Sequence, residues 1–467
     1  MTIQAKEKFF YASGAVANGV KADAFTFFLL FFYSNVIGLT PGLASLAIFI
    51  ALMVDAFTDP IMGVISDRTN HRLGRRHPYF LLGIIPMGLS YFMLFSIQSS
   101  WDLSQQYLFL WMLTFTLLTR LGMTIFDVPH RSLGSEMSRS YTERTSIFAA
   151  REMFGWAGGL FNAFLAYTVF FKDTPEYIPG TQNPEPWIYY GITGATLMTI
   201  SVLVTYFGTL KYRNTSSNNE ISFDLKLIFS QIFIALKNKS FQIFFFGYLF
   251  IAVSWGLNSS LQIYMNTYFW EFKSIMIASF LGIYALSTFS AFLLIPRLVL
   301  FLEKRSILLF AIAFAALIPP IPILLYLNDI LPDSGSWNLF FALAPFIYLA
   351  NTCLSSSAII RESMLGDISD EVELESKIGQ QGLMYASSSL IGKLNTGLGI
   401  LVAGLALEFI GFPQGSEVLP NADQIFNLAM VQGPFVAVMM IIPFGIFSFY
   451  KIDRQRHRNI LSQLEVR

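Results

Sequence analysis

Cysteine and charged residues are both scarce in this 467-residue sequence. The single cysteine, Cys353, excludes an internal disulfide and a multi-cysteine metal cluster. The 4 histidines are scattered and lack the spacing of metal ligands. Charged residues make up 13% of the chain, whereas a soluble domain averages about 25%. The formal net charge of +0 gives no basis for nucleic-acid binding.

Apolar residues dominate instead, at 54% of the chain with 48 phenylalanines. They form runs long enough to cross roughly 30 Å of hydrocarbon. Because backbone groups in lipid must be hydrogen-bonded within their own segment, these runs are predicted to be helices. We therefore predict an all-α membrane protein with twelve transmembrane helices. The predicted spans are Phe9–Leu39, Gly42–Ser66, Tyr79–Ile97, Tyr107–Leu133, Ile147–Phe171, Trp187–Leu210, Phe241–Phe269, Ile275–Phe301, Ser306–Leu327, Trp337–Leu365, Gly379–Ile410 and Ile425–Tyr450.

The distribution of basic residues predicts the orientation. Most Lys and Arg residues fall in alternate loops, whereas the other loops hold only Lys172 and Lys273. By the positive-inside rule, the Lys- and Arg-rich loops and both termini are expected in the cytoplasm.

The longest polar gap divides six predicted helices from six. It contains the tract Asn214–Glu220, so we expect an N-terminal bundle (1–213), a cytoplasmic linker (214–238) and a C-terminal bundle (239–467). Two pseudo-symmetric six-helix halves are typical of carriers that bind substrate near the membrane midplane. The chain has no P-loop and no long soluble domain, so ATP hydrolysis is not expected and we predict a transporter, not an enzyme.

Two acids lie inside the second span, and this pair is the first candidate site. Asp55 and Asp59 are four residues apart, so they share one helix face. An ionised carboxylate in hydrocarbon costs at least a few kcal/mol. A cation between them or a shared proton would explain the pair, and two separate salt bridges to other helices would be the alternative.

Polar residues also form a stripe on the fourth span. Arg120, Thr124, Asp127 and Arg131 recur at helical spacing, so this face is expected to point to a cavity or to another helix. A carboxylate suits a sugar because it accepts charge-assisted hydrogen bonds from hydroxyls. Alternatively, Arg120, Asp127 and Arg131 pair with one another along the helix.

Several blocks together resemble the glycoside–pentoside–hexuronide:cation symporters, the melibiose permease family of the major facilitator superfamily. The resemblance covers essentially the whole chain. The blocks are Asp55-x-x-x-Asp59-Pro60-x-x-Gly63, Asp67-Arg68 followed after an insertion by Gly74-Arg75-Arg76, Asp127-Val-Pro129, Asp367-Ile-Ser-Asp370, and Gly382 with Lys393.

The resemblance implies a function. It implies symport of a sugar, glycoside or sugar acid with Na⁺ or H⁺, with Thr124 completing a cation site at Asp55 and Asp59 and no other metal or cofactor. It also implies that Asp127 contacts sugar hydroxyls and that Arg151 and Lys393 are binding residues. We expect a monomer in a bacterial inner (plasma) membrane. Related animal carriers move lysophospholipids, so an amphipathic solute is the alternative substrate.

An Arg-rich loop follows the second span and is a candidate gate. Asp67, Arg68, Arg72, Arg75 and Arg76 can bridge to carboxylates or to the C-termini of neighbouring helices. Such ties would lock one face of the carrier and release when it rocks. Alternatively, these basic residues only set the orientation of the chain in the membrane. Both interpretations stay open.

The first span departs from the family pattern. Sugar-transporting members carry a Lys-Asp pair where this chain has Asn18-Gly19, and the nearest charges are Lys21 and Asp23. Arg131 replaces an aromatic residue. Basic side chains therefore outnumber acidic ones among the residues expected to face the cavity. This excess indicates an anionic substrate with Lys21 among its contacts. Alternatively, Lys21 pairs with Asp55 or Asp59 and replaces the bound cation, leaving a proton-coupled or uncoupled carrier.

The seventh span carries amides and aromatics suited to a sugar. Trp255, Asn258, Gln262 and Tyr264 would form a substrate-facing wall, since aromatic rings pack on pyranoses and amides bond to hydroxyls. Ordinary helix packing is the alternative.

Overall fold

The computed structural model describes residues 3–138, 140–213, 237–376, 381–415 and 418–465, and within these ranges it is helical without any strand. The main helices, α1 to α13 in chain order, are Ala5–Val36, Pro41–Arg68, His77–Ser96, Gln105–Glu136, Tyr141–Leu165 with the turn Ala166–Phe170, Trp187–Tyr212, Lys239–Phe269, Ser274–Phe301, Lys304–Leu327, Trp337–Ser376, Gln381–Phe409, Ala422–Phe447 and Arg454–Glu465.

The helices α1 to α12 account for the predicted spans. Among the described residues, 11 helices are long and apolar enough to cross a membrane. The remaining helix, α11, is 29 residues long. The prediction of an all-α, twelve-helix membrane protein is therefore confirmed. The terminal helix α13 is short and polar and follows the last span.

Contacts divide the described residues into two compact units. The first contains residues within Met1–Ile221, Lys273–Ala278 and Ile400–Asn421; the second contains those within Ser222–Phe272, Ser279–Gly399 and Ala422–Arg467. The first unit thus holds α1 to α6, and the second most of α7 to α13. The predicted boundary at 214–238 stays a prediction, because residues 214–236 lie outside the described part of the chain.

Glycines bring α1 and α5 into backbone contact in the first unit. A Cβ on Gly19 would collide with the carbonyl oxygen of Gly155, and a Cβ on Gly158 would lie 2.9 Å from the Cα of Val16. Such close approach requires residues without side chains. Position 19 therefore cannot carry the acid that the resembling sugar carriers have there.

An aromatic cluster closes the interior of the first unit. The ring of Trp187 lies 4.4 Å from that of Phe171 and 4.7 Å from that of Phe32. Phe28 and Phe95 complete this group around Tyr190. Helix α1 contributes two π-helical turns here, Ala24–Phe28 and Phe32–Val36. Single π turns are frequent at functional sites.

The second unit has its own apolar core. Phe241, Ile360, Met364 and Phe447 are buried in one cluster that joins α7, α9, α10 and α12. Helix α13 is attached to α10 by polar contacts, since the Arg456 guanidinium donates to Glu371 at 2.5 Å. This packing holds in place α7, which carries Trp255, Asn258 and Gln262.

Candidate functional site

The structure brings the predicted cation-coupling residues together. The Thr124 hydroxyl on α4 lies 3.1 Å from Oδ1 of Asp55 and 2.7 Å from Oδ1 of Asp59, both on α2. Asp55 is 3% exposed, and Asp59 is half-buried. One hydroxyl thus bridges two carboxylates of the neighbouring helix, which places three oxygen-bearing side chains around one point.

Arg120 is a cationic partner of this pair. Its guanidinium donates a 2.9 Å hydrogen bond to the other oxygen of Asp55, and it lies 5.0 Å from the ring centre of Phe25 on α1. The alternative in which Arg120 pairs with Asp127 along α4 is wrong. The sequence suggested Lys21 as a partner of Asp55, and it did not suggest Arg120.

Asp127 lies between two arginines one turn further along α4. Arg131 donates to its Oδ2 at 2.7 Å and Arg151 of α5 donates to its Oδ1 at 2.6 Å. Lys21 of α1 attracts the same carboxylate electrostatically. The i,i+4 pairing of Asp127 with Arg131 was one of the expected alternatives, and the structure contains it. The bond to Arg151 joins two helices and was not expected.

The two arginines differ in exposure. The Arg151 side chain is 3% exposed and also donates to Glu152 at 2.6 Å. The Arg131 side chain is 48% exposed. Arg131 is therefore the member of this cluster that an incoming anion can reach with the least rearrangement.

The predicted wall on α7 is in part a hydrogen-bonded network of the second unit. Trp255, Asn258 and Gln262 are half-buried, whereas Tyr264 is fully buried. Gln432 of α12 donates to Gln262 at 3.1 Å, and Gln262 donates to Asn266 at 3.1 Å. Gln432 and Asn266 were not predicted from the sequence. Each is an amide inside an apolar span, which was a visible signal.

Lys393 lies on α11 in the second unit and is half-buried. Its role as a substrate contact stays a prediction. A second basic residue in this unit was missed: Arg361 of α10 is buried and lies 4.6 Å from the ring centre of Tyr248.

The predicted gate is an ion cluster at the ends of α2 and α4. Arg75 and Arg76 both donate to Oε1 of Glu136 at 2.7 Å. Arg76 also bonds to the Ser66 hydroxyl at 2.6 Å and pairs with Asp67. Sequence reasoning had not named Glu136, although an acid at the end of the fourth helix was a visible signal.

The other two arginines of that loop behave differently. Arg68 and Arg72 are exposed, and neither forms an ion pair within the described ranges. A comparable tie occurs in the second unit, where Lys304 at the start of α9 bonds to Asp367 of α10 at 2.6 Å.

Comparison with known proteins adds to this geometry. Residues 10–454 match the family model described as MFS/sugar transport protein. The chain is 29% identical to the uncharacterized symporter YnaJ of Bacillus subtilis over 99% of this chain and 95% of that one. It is 24% identical to the putative glycoside/cation symporter YagG of Escherichia coli, covering 98% and 94% of the two chains.

A third relative is named for a different substrate. The chain is 25% identical to the sodium-dependent lysophosphatidylcholine symporter 1-A of Danio rerio over 98% of this chain and 87% of the other. Among solved structures, the nucleoside transporter NupG has a TM-score of 0.60 at 14% identity, covering 97% of this chain and 100% of that one. This structural likeness concerns the fold alone.

Proposed function

The chain belongs to the MFS/sugar transport family, and from this membership we propose that it is a secondary active transporter. It moves a sugar, glycoside or sugar acid together with Na⁺ or H⁺ by alternating access. The observation that carries this proposal is the Thr124 hydroxyl shared by Asp55 and Asp59. Carboxylate and hydroxyl oxygens are ligands that a hard cation prefers.

The coupling ion competes with Arg120 in this proposal. Arg120 holds one oxygen of Asp55, and Thr124 holds the other beside Asp59. A cation entering between the two acids weakens the hold of Arg120 on Asp55, because both cations attract the same carboxylate. Binding of Na⁺ or H⁺ would thereby be linked to a rearrangement of α2 against α4.

The charge balance near Asp127 favours an acidic substrate. Three basic side chains, Lys21, Arg131 and Arg151, act on one buried carboxylate, with Glu152 as the further acid. The exposed guanidinium of Arg131 can release Asp127 and bind a carboxylate of the substrate instead. Bidentate bonding between arginine and a carboxylate is strong. Asp127 would then accept a sugar hydroxyl. Lys393, Asn258 and Gln262 are proposed as further substrate contacts.

A lysophospholipid is the second candidate substrate. It is supported by the similarity to the lysophosphatidylcholine symporter of Danio rerio over nearly the whole chain. The same basic side chains would suit its phosphate. The two candidates differ in whether transport needs a long acyl chain.

The ion cluster around Glu136 is proposed as a cytoplasmic gate. It joins the loop after α2 to the end of α4, and it lies on the side that the basic residues predict to be cytoplasmic. Location in the plasma membrane of a bacterium and a monomeric state complete the proposal.

Uptake into proteoliposomes tests the proposed function. Vesicles containing the full chain would receive a radiolabelled uronate, its neutral parent sugar or lysophosphatidylcholine, each with an inward Na⁺ gradient, an inward H⁺ gradient or none. We expect gradient-dependent accumulation of the uronate and loss of accumulation in Asp59→Asn. Accumulation of lysophosphatidylcholine alone would select the second candidate, and equal uptake by empty vesicles would contradict transport altogether.

A further inference from the structure

Asp23 of α1 is a half-buried acid that the proposed cation and substrate sites leave unexplained. It directly precedes the π-helical turn Ala24–Phe28. One of its carboxylate oxygens is fully buried without a hydrogen-bond partner, and no ion pair of Asp23 occurs within the described residues. An unpaired ionised carboxylate in a low-dielectric interior is far more costly than a neutral one.

Polar side chains from three other helices lie in the same buried region as this acid. Tyr91 of α3 and Tyr190 of α6 both interact electrostatically with Asp23, and Asn162 of α5 adjoins Tyr91. Asn162 is 1% exposed and both tyrosines are 0% exposed. The amide oxygen and nitrogen of Asn162 and both phenol oxygens lack a partner of good hydrogen-bond geometry.

Glycines create the space in which these groups meet. A Cβ on Gly159 of α5 would lie 3.5 Å from the Cβ of Asp23, and a Cβ on Gly194 of α6 would lie 2.8 Å from the Tyr91 hydroxyl. Asn162 follows Gly159 by three residues, so it lies on the same face of α5. The cluster therefore depends on glycine at positions 159 and 194, since larger residues there would fill the space.

Aromatic rings enclose the cluster on the side of Tyr190. Its ring centre lies 5.0 Å from that of Phe95, 5.3 Å from that of Phe28 and 5.8 Å from that of Trp187. The species that suits this enclosure is a proton, held by groups that can both donate and accept hydrogen bonds.

The nearby basic groups are engaged elsewhere. On α4, Arg120 bonds to Asp55, and Arg131 bonds to Asp127. On α5, Arg151 bonds to Asp127 and Glu152. On α1 itself, the charge of Lys21 acts on Asp127. The titratable groups that face Asp23 from α3 and α6 are the two tyrosines, which are neutral donors at ordinary pH.

We propose that Asp23 is a proton-binding residue, separate from the pair Asp55 and Asp59, whose neutral carboxyl group belongs to one buried polar cluster with Asn162, Tyr91 and Tyr190. A neutral carboxyl group can donate one hydrogen bond and accept others, so rotation of these side chains would let Asp23 bond to a neighbouring phenol. Because the residue is only half-buried, the proton exchanges through its exposed side. Its use in driving uptake rests on the proposed transport function, whereas the proton site itself does not.

Infrared spectroscopy of the full-length protein in liposomes tests the site. A protonated carboxyl group has a carbonyl stretching band that shifts in D₂O and disappears when the group ionises at high pH. We expect this band in the unmodified protein, its loss in Asp23→Asn, and its retention in Asp329→Asn. Asp329 is the matched control because it is exposed, and its φ of 57° is one that Asn also adopts readily.

A second pair of variants keeps the test decisive if Asp23→Asn does not fold. Tyr190→Phe and Tyr91→Phe retain the acid but each remove a hydroxyl, so each should move the carbonyl band to higher frequency. An unchanged band in Asp23→Asn, or in both tyrosine variants, would overturn the proposal. Uptake driven by an inward H⁺ gradient is measured in parallel. If no solute is taken up, the proposed transport function is contradicted but the proton site is not, because the infrared result does not depend on transport.

Discussion

The guanidinium of Arg120 donates a 2.9 Å hydrogen bond to Asp55, which is 3% exposed. The buried guanidinium of Arg120 is therefore already paired with Asp55, the first of the two acids on α2. Whether a coupling ion can enter depends on how strongly this pair holds, because the ion must share or replace the arginine.

Replacing Arg120 by Gln should make the protein more dependent on an added cation. The change leaves a buried carboxylate without its positive partner, and breaking a buried ion pair costs about 3–5 kcal/mol. We expect a lower melting temperature at low Na⁺ and a larger rise on adding NaCl than in the unmodified protein, with choline chloride as the salt control. Arg72→Gln removes an exposed arginine and should respond like the unmodified protein; equal Na⁺ responses in both variants would contradict the competition.

Asp55→Asn and Asp59→Asn should each abolish uphill accumulation while leaving some exchange of labelled for unlabelled substrate. The reason is that each change removes the charge that attracts the coupling ion but leaves the cluster at Asp127 intact. Accumulation and exchange are measured in the same vesicles, with Asp329→Asn as a variant that should retain both. Undiminished accumulation in both α2 variants would remove these acids from the coupling mechanism.

The double change Arg75→Gln with Arg76→Gln should slow turnover more than it weakens substrate binding. These side chains hold Glu136 at the end of α4 and lie outside the proposed binding residues. Arg68→Gln with Arg72→Gln is the matched control, because it removes the same charge from the end of α2 and the following loop without breaking an ion pair. Initial rates and half-saturation concentrations distinguish the two effects; a lost affinity at normal turnover would argue against a gate.

Lys393→Gln and Arg131→Gln should each impair an acidic sugar far more than its neutral counterpart. A lost charge-assisted hydrogen bond is worth about 1.5–3 kcal/mol, which corresponds to roughly 10- to 150-fold in affinity. Competition of each sugar against a labelled substrate gives the ratio. Equal losses for both sugars would indicate that these residues support the protein rather than select an anion.

Gly19→Ala should destabilise the protein, and Gly19→Asp should not restore a sugar site. A side chain at position 19 collides with the backbone of α5, and overpacking costs about 1–3 kcal/mol. Gly282→Ala on α8 is the control, because a Cβ there meets nothing within 4 Å. Thermal melting of both variants in one detergent measures the difference, and a neutral Gly19→Ala would refute the close contact.

The sequence predicted the helices and the shared face of Asp55 and Asp59 because both depend on local periodicity. Helical spacing placed Thr124 only on the polar stripe of α4, and its place beside Asp55 and Asp59 was implied by the family resemblance. The bond from Arg120 to Asp55 depends on the rotation of α4 against α2, which no local pattern specifies. Residues 91, 162 and 190 are likewise far apart in the chain, so their meeting at Asp23 appeared only in the folded protein.

The close glycine contacts between α1 and α5 have a mechanical consequence. Two helices whose backbones touch have little freedom to rotate independently, because a rotation that turns a side chain of one helix toward the other creates a clash at Gly19 and Gly155. Helices α1 and α5 would therefore move as one rigid body during the transport cycle. Helix α1 carries Lys21 and α5 carries Arg151, so both charges would travel together past α4, and the hold on Asp127 would tighten or loosen in a single step.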